Sequence, residues 1–437
     1  MKFNTINRTA KAAAVSLALG LGTIACSRDY TAAYVYSVSN TSSGSTGAVV
    51  NAYAVDYQSG VLTQISGSPF TTNLMNPSTL IAAPNGKTLY VIGGSDNANV
   101  EVYTIGSDGK LYGQTTPTIT GTYPTAAAID PTGSYLYVLY TYENGYTPVS
   151  PGPGGISIFP INQSANGSAA AGTLGTPVNV NVGNNPIGIA VSAPTCTATP
   201  AIPSSVSGIT SPNCVILSTA ATTATPNGFT NTIVYVVDAE VAAAKPQVLG
   251  YVMSPKDGSL TPISGTVAAG VSPSAIAIDP TGKYVYVTDK QQNEIFGYQI
   301  ANVTTGALTP LVSSPYATGG YPVAITIEPR GKYVYVANYN SSTVSSYSLN
   351  LANGSLGASA GSGFSTNTGP TCVTVEPALG IYLYTSNYLD GSISGGQLSP
   401  DTGVLTTVAN SPFPSASQPI CVASVPNGLH SVQAVAP

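Results

Sequence analysis

The chain is 437 residues long, enough for two or three average domains or for one large closed β architecture. Hydrophobic residues make up 43% and charged residues only 7%, against about 25% in an ordinary soluble domain, so a core can form while Ser, Thr, Asn, Gln and Gly must supply the polar surface. A formal net charge of −5 with no basic cluster after residue 11 excludes nucleic acid as a partner and leaves no field to steer charged substrates.

Lys2, Arg8 and Lys11 precede an apolar run from Ala12 to Ala25 that is too short to span a bilayer unaided. Residues 1–25 therefore read as an export signal. Thr23-Ile24-Ala25-Cys26 resembles a bacterial lipobox, which would make Cys26 the acylated first residue of the mature chain, although Thr23 stands where such boxes usually carry Leu. Ordinary cleavage after Ala25 is the alternative. Either places the mature protein outside the cytoplasm, in the cell envelope or secreted, with residues 26–32 as a linker and the membrane reached only through the anchor.

A repeated phrase then organises the chain. It begins as a half copy, Tyr34-Val35-Tyr36-Ser37, and continues as Pro77 to Val91 and Pro124 to Val138. A copy opening at Pro186 is interrupted before Ile233 to Val236. Pro273 to Val287, Pro322 to Val336 and Pro370 to Thr385 are the clearest copies, and a spare opening stands at Pro419. Within Pro273 to Val287, Ala275 to Ile278 is a short apolar strand. Asp279-Pro280-Thr281-Gly282 is a turn, with Pro presetting φ and Gly accepting positive φ. Lys283 to Val287 alternates and is rich in aromatic and β-branched residues, as strands are. Two further strand segments follow in each unit, of the type Glu294 to Ile300 and Gly306-Ala307-Leu308-Thr309.

Four short strands at a period of about 48 residues, without helical periodicity, predict propeller blades. The second Tyr of the phrase stands at 36, 90, 137, 235, 286, 335 and 384, which counts seven. The long gap between Tyr137 and Tyr235 holds only one set of outer strands, so one blade carries an insertion over about 195–231. The expectation is an all-β, seven-bladed β-propeller over 33–437, with four-stranded antiparallel blades. Pro419 to Val425 would close the ring by pairing with the N-terminal strand and removing an open edge.

These phrases resemble the lactonase-type seven-bladed propeller superfamily, which includes 6-phosphogluconolactonases of the propeller type; Pro322 to Tyr347 carries the likeness most closely. In that superfamily the innermost strand typically begins Gly-Pro-Arg-His and the next strand ends Asn-Glu-Leu, with the Arg, His and Glu implied to line the central pocket. Here the corresponding positions are Pro322-Val323-Ala324 and Asn338-Tyr339-Asn340, and no repeat supplies the trio. The resemblance therefore implies the fold, while a shared fold does not carry the activity with it.

Lactone opening needs a general base and a donor for the developing oxyanion. The only His is His430, near the end of the chain, and Arg330 occupies a turn and is expected to be solvated. No catalytic residue is assigned, and no cofactor or metal spacing is present. Asp130, Asp279, Glu328 and Glu376 precede turns and read as local backbone acceptors. The seven tyrosines read as packing between sheets. Cys196 and Cys214 suit a disulfide closing a small loop in an oxidising compartment, against two free thiols. Cys372 and Cys421 fall in a slot that elsewhere holds Ala or Gly and read as buried free thiols, with an inter-blade bridge as the rival.

The position after the second strand reads Asn40, Asp238, Asp289, Asn338 and Asn387, broken in two blades by Gly93 and Tyr140, and is expected to form a partial ring at the channel mouth that could bind a small polar or carbohydrate ligand. Turn chemistry is the alternative there. The functional expectation is an exported, monomeric binding or interaction module, with a small ligand or an envelope protein as partner. A divergent lactone hydrolase is the rival reading. Acylation predicts that the mature N-terminal peptide begins at Cys26 and carries the mass of its acyl groups in mass spectrometry; an unmodified Cys26 at that terminus would leave ordinary cleavage.

Overall fold

The Tyr-Val-Tyr-Val segments form the second strand of each blade, buried on both faces and flanked by the inner strand and the third strand. In the computed structural model the described residues are 30–428 except 41–46, 96–97, 115–117, 120, 144, 164–169, 193–231, 240–244, 255, 303–304 and 360–362. Cys26, the Cys196–Cys214 pair, the insertion and His430 lie outside them.

Seven antiparallel sheets make up the ring, each built from an inner, a second, a third and an outer strand. Numbered in chain order, blades 2 to 7 open with the inner strands Pro77–Ala82, Thr122–Ile129, Pro186–Val191, Pro273–Ile278, Pro322–Ile327 and Pro370–Val375. Blade 1 has Thr31–Ser39 as its second strand and takes its inner strand from the other end of the chain. Pro419–Pro426 pairs antiparallel with Thr31–Ser39, setting Tyr34 opposite Val425 and Tyr36 opposite Ala423. The ring closes as expected. In six blades the outer strand is broken into two pieces on the same third strand. In blades 1, 5 and 7 the break is a Ser–cis-Pro step at Ser68, Ser314 and Ser411, whose hydroxyls accept the N–H of Ala52, Gly297 and Gly395, each at 2.9 Å.

Neighbouring blades are fastened by the repeated tyrosine. Tyr36 Oη donates to the carbonyl of Gly109 in blade 2 at 2.8 Å, Tyr286 to Gly354 in blade 6 at 2.7 Å, and Tyr335 to Gly403 in blade 7 at 3.0 Å. Tyr90 and Tyr235 do the same to Gly172 and Gly306, and Tyr384 reaches Gly60 of blade 1 at 2.6 Å. Tyr137 is the exception and meets Met253 Sδ. The receiving turn must be glycine for two reasons. Its φ is positive (+72° at both Gly354 and Gly403), and a Cβ there would sit 2.4 Å from the Tyr284 ring or 2.2 Å from the Tyr333 ring.

The acids before the inner turns act as expected. Asp279 accepts the N–H groups of Thr281, Lys283 and Tyr284 at 2.6–2.9 Å. Glu376 accepts those of Ala378, Leu379, Ile381 and Tyr382. Burial still pushes the Glu376 carboxyl above the usual range, against the pull of those donors. Arg330 differs from the expectation. Its guanidinium pairs with Glu328 at 3.0 Å and donates to the Gly380 carbonyl of blade 7 at 3.1 Å, leaving the side chain 17% exposed. The turn lies against the next blade instead of on an open corner.

Cys372 and Cys421 are bonded to each other, which corrects the free-thiol reading. The slot that demands a small residue also sets the equivalent residues of adjacent inner strands close together, with 4.8 Å between the two Cα atoms. The bridge ties the closing strand to blade 7, so that strand is held by blade 1 through its ladder and by blade 7 through a covalent bond. Replacing both cysteines by Ser is expected to lower the unfolding free energy by about 2–4 kcal/mol. A dithiol reductant should lower the unfolding midpoint of the wild type and leave the double variant unchanged; equal midpoints for the two proteins would contradict the bridge.

Candidate functional site

The turns that follow the second strand and those that precede the inner strand emerge on one face of the ring. The five predicted residues lie under this face. Asp289, Asn338 and Asn387 are fully buried and Asp238 is 1% exposed. Asp289 accepts the backbone N–H groups of Val271, Ser272, Gln291 and Gln292, so one carboxylate holds two loops together. Asp238 accepts from Asn184 and Asn185 in the same way. Asn338 donates to Thr343 and Ser345 and accepts from Thr318, while Asn387 donates to Ser392 and Ser394. Asn40 is half-buried, and its backbone bonds Gln418 and Ser417. The structure buries four of these five side chains: Asp238, Asp289 and Asn338 bond the loop before the inner strand, and Asn387 bonds the third strand of its own blade.

Beside Asp289 and Asn338 lies a cavity of about 450 Å³ between blades 5 and 6. Lys290, Gln291 and Asn293 follow Asp289, Asn340 follows Asn338 by two, and Ser272, Gly320 and Tyr321 precede the inner strands. Gly320 N–H donates to Ser341 Oγ at 2.6 Å and Asn340 N–H to the Gly320 carbonyl at 3.2 Å. Tyr321 and Asn293 are both held at positive φ, +58° and +59°. Such strain in non-glycine residues gathers where surrounding bonds fix it, and here Tyr321 N–H donates to Asn293 Oδ1 at 2.7 Å while its carbonyl accepts from Tyr339 N–H at 2.9 Å. The Lys290 ammonium lies 5.8 Å over the Tyr321 ring, whose other neighbour is the Tyr339 ring at 6.1 Å. The volume falls within the range of small-molecule sites, and the lining offers one cation, three amides, a hydroxyl and an aromatic face.

The channel wall is chemically different. None of the seven inner strands contains an acid, a base or an amide. Their hydroxyls bond across to neighbours: Thr125 to the Pro186 carbonyl, Ser274 to Pro322 and Thr371 to Pro419. Among the described residues no group of His, Cys, Asp or Glu is arranged to hold a metal ion. Sequence reasoning chose the ordered end of the strand and missed the loop residues just beyond it. Tyr321, the residue before an inner-strand Pro, was the available signal.

The profile of the family described as lactonase, 7-bladed β-propeller, matches residues 33–176 and 235–378. Solved structures similar to this chain include a protein from Bacteroides uniformis named as a candidate 6-phosphogluconolactonase, with TM-score 0.64 and 17% identity, covering 90% of this chain and 100% of that one. The periplasmic gluconolactonase of Pseudomonas aeruginosa aligns with TM-score 0.63 and 17% identity over 92% of this chain and 100% of its own. At such identities the likeness shows the fold. No curated protein matched in a sequence search.

Asp289→Ala is expected to cost about 2 kcal/mol, because it removes the buried charged acceptor of four backbone N–H groups, whereas Asn340→Ala should stay within about 0.5 kcal/mol of wild type. Denaturant titration of the two variants checks this, and an Asp289→Ala protein as stable as wild type would contradict the loop-fastening role.

Proposed function

Because the chain belongs to the lactonase seven-bladed β-propeller family, we propose that it is an exported, non-hydrolytic member of it that binds a sugar acid in the cavity between blades 5 and 6. The observation that carries this reading is the separation of chemistry between wall and rim. Opening a lactone requires a base to activate water and a donor for the oxyanion. The seven inner strands have no titratable side chain besides Tyr123 and the bridged cysteines, and the rim carboxylate of Asp289 is buried and taken up by the backbone N–H groups it accepts. Lys290 is placed to meet a carboxylate, Tyr321 offers a flat apolar face, and Gln291, Asn293 and Asn340 offer donors and acceptors for hydroxyls. The Cys372–Cys421 bridge supports an oxidising compartment, in keeping with the N-terminal signal.

Family membership favours a divergent lactone hydrolase as the competing reading, and one pair of experiments separates the two. Titration calorimetry with glucuronate should give a saturable isotherm that weakens roughly tenfold in Lys290→Gln, equivalent to about 1.4 kcal/mol, and weakens with added salt. Gluconolactone opening followed at high protein concentration should match the spontaneous rate. Acceleration above that rate would favour the hydrolase, and a Lys290→Gln isotherm identical to wild type would remove the cavity from the account.

A further inference from the structure

Seven residues stand immediately before the inner-strand prolines: Asn76, Tyr123, Asn185, Ser272, Tyr321, Gly369 and Gln418. Five of them have left-handed backbone, with φ between +49° and +69°. Gly and Asn tolerate that conformation, while a bulky aromatic in it is an outlier. A proline following further restricts the residue before it. Two blades nevertheless place Tyr there, at +55° for Tyr123 and +58° for Tyr321.

Both tyrosines are built alike. Tyr123 N–H donates to the Ser95 carbonyl at 2.9 Å, and Thr141 Oγ1 donates to the Tyr123 carbonyl at 3.3 Å. Its ring meets the edge of Tyr142 from the end of the second strand, 5.8 Å between centroids, as Tyr321 meets Tyr339. Tyr123 and Tyr142 are half-buried, Tyr146, whose carbonyl accepts from Thr122 Oγ1 at 3.4 Å, is 38% exposed, and Tyr321 is 37% exposed. These pairs belong to blades 3 and 6 of seven, with two blades between them one way round the ring and three the other. They therefore flank the channel mouth from opposite sides, too far apart for one sugar ring to touch both.

We propose that the two tyrosine pairs are stacking subsites for a single acidic sugar chain lying across the channel mouth, with Lys290 beside the blade 6 end. The proposal rests on the cavity reading above and extends it from a sugar acid to an oligosaccharide. Aromatic faces hold the apolar faces of pyranose rings, and the amides of Gln291, Asn293 and Asn340 suit the hydroxyls around them. Once one subsite is filled, the second contact becomes intramolecular, so affinity should climb steeply when the chain is long enough to reach.

Calorimetry with galacturonate and with oligogalacturonides of increasing length tests this on the full mature chain. Asn is the substitution of choice, since blade 2 carries Asn76 at the equivalent position with φ +49°, and unchanged thermal unfolding confirms that each variant folds. Wild-type affinity should rise roughly a hundredfold beyond a threshold length. Tyr123→Asn should keep the affinity for galacturonate and lose the rise; Tyr321→Asn should lose both. An affinity independent of length, or a Tyr123→Asn protein that follows wild type at every length, overturns the crossing chain and leaves the cavity standing. A wild type that binds neither galacturonate nor any oligomer overturns both.

Discussion

A phenol hydroxyl donating to a glycine carbonyl of the next blade is the contact on which this ring depends. It recurs between six of the seven neighbouring pairs, including the seam where Tyr384 of blade 7 reaches Gly60 of blade 1. Burying a tyrosine is favourable only if its hydroxyl finds a partner, and a glycine turn with positive φ presents a carbonyl with no Cβ in the way. The ring of the preceding tyrosine, where there is one, packs on that same glycine, as Tyr333 does on Gly403. Shape and hydrogen bonding thus select each other, and the repeat period follows from the need to supply both parts in every blade.

This fastening accounts for a chain with so few charges. The described residues contain two ion pairs, one on the surface between Lys110 and Asp108 and one between Arg330 and Glu328. Carboxylates work instead as acceptors for backbone N–H groups, Asp279 and Glu376 at the inner turns and Asp289 at the opposite face. Charged acceptors make stronger hydrogen bonds than neutral ones, so a few acids can set many loops. The rigidity such an acceptor provides passes to the exposed residues beside it.

Blade number, blade order and ring closure are legible in the sequence because each rests on a strict local pattern: a Pro, a turn and a Tyr pair at constant spacing. The site is less legible because the same residue types serve both structure and recognition. Asp289 and Asn338 end a strand where an Asx side chain can cap the incoming loop, and nothing in the sequence separates that from a ligand contact. Lys290 and Asn340 stand one or two residues further on, outside the repeating pattern, where only coordinates reveal that they face one space. The cysteines carry a different lesson. Cys372 and Cys421 occupy the same slot of consecutive repeats, 49 residues apart; the small-residue demand of that slot favours free thiols, but equal slots on adjacent inner strands are neighbours in a closed ring, and that adjacency decides for the rival bridge.

That slot also explains why recognition would move from the tunnel to the rim. The superfamily resemblance implies Arg and His immediately after the inner-strand Pro, where this chain has Ser274-Ala275, Val323-Ala324 and Thr371-Cys372. In blade 4 the slot is Gly188, where a Cβ would already lie 3.2 Å from Ile276 of blade 5. Hydroxyls in the preceding position close onto the next blade's proline carbonyl, and in one place a disulfide replaces side-chain packing altogether. The inner strands are thus tied to one another by small side chains, and polar side chains are offered where the backbone leaves the sheet, first at the residues before the prolines, five of the seven with left-handed backbone.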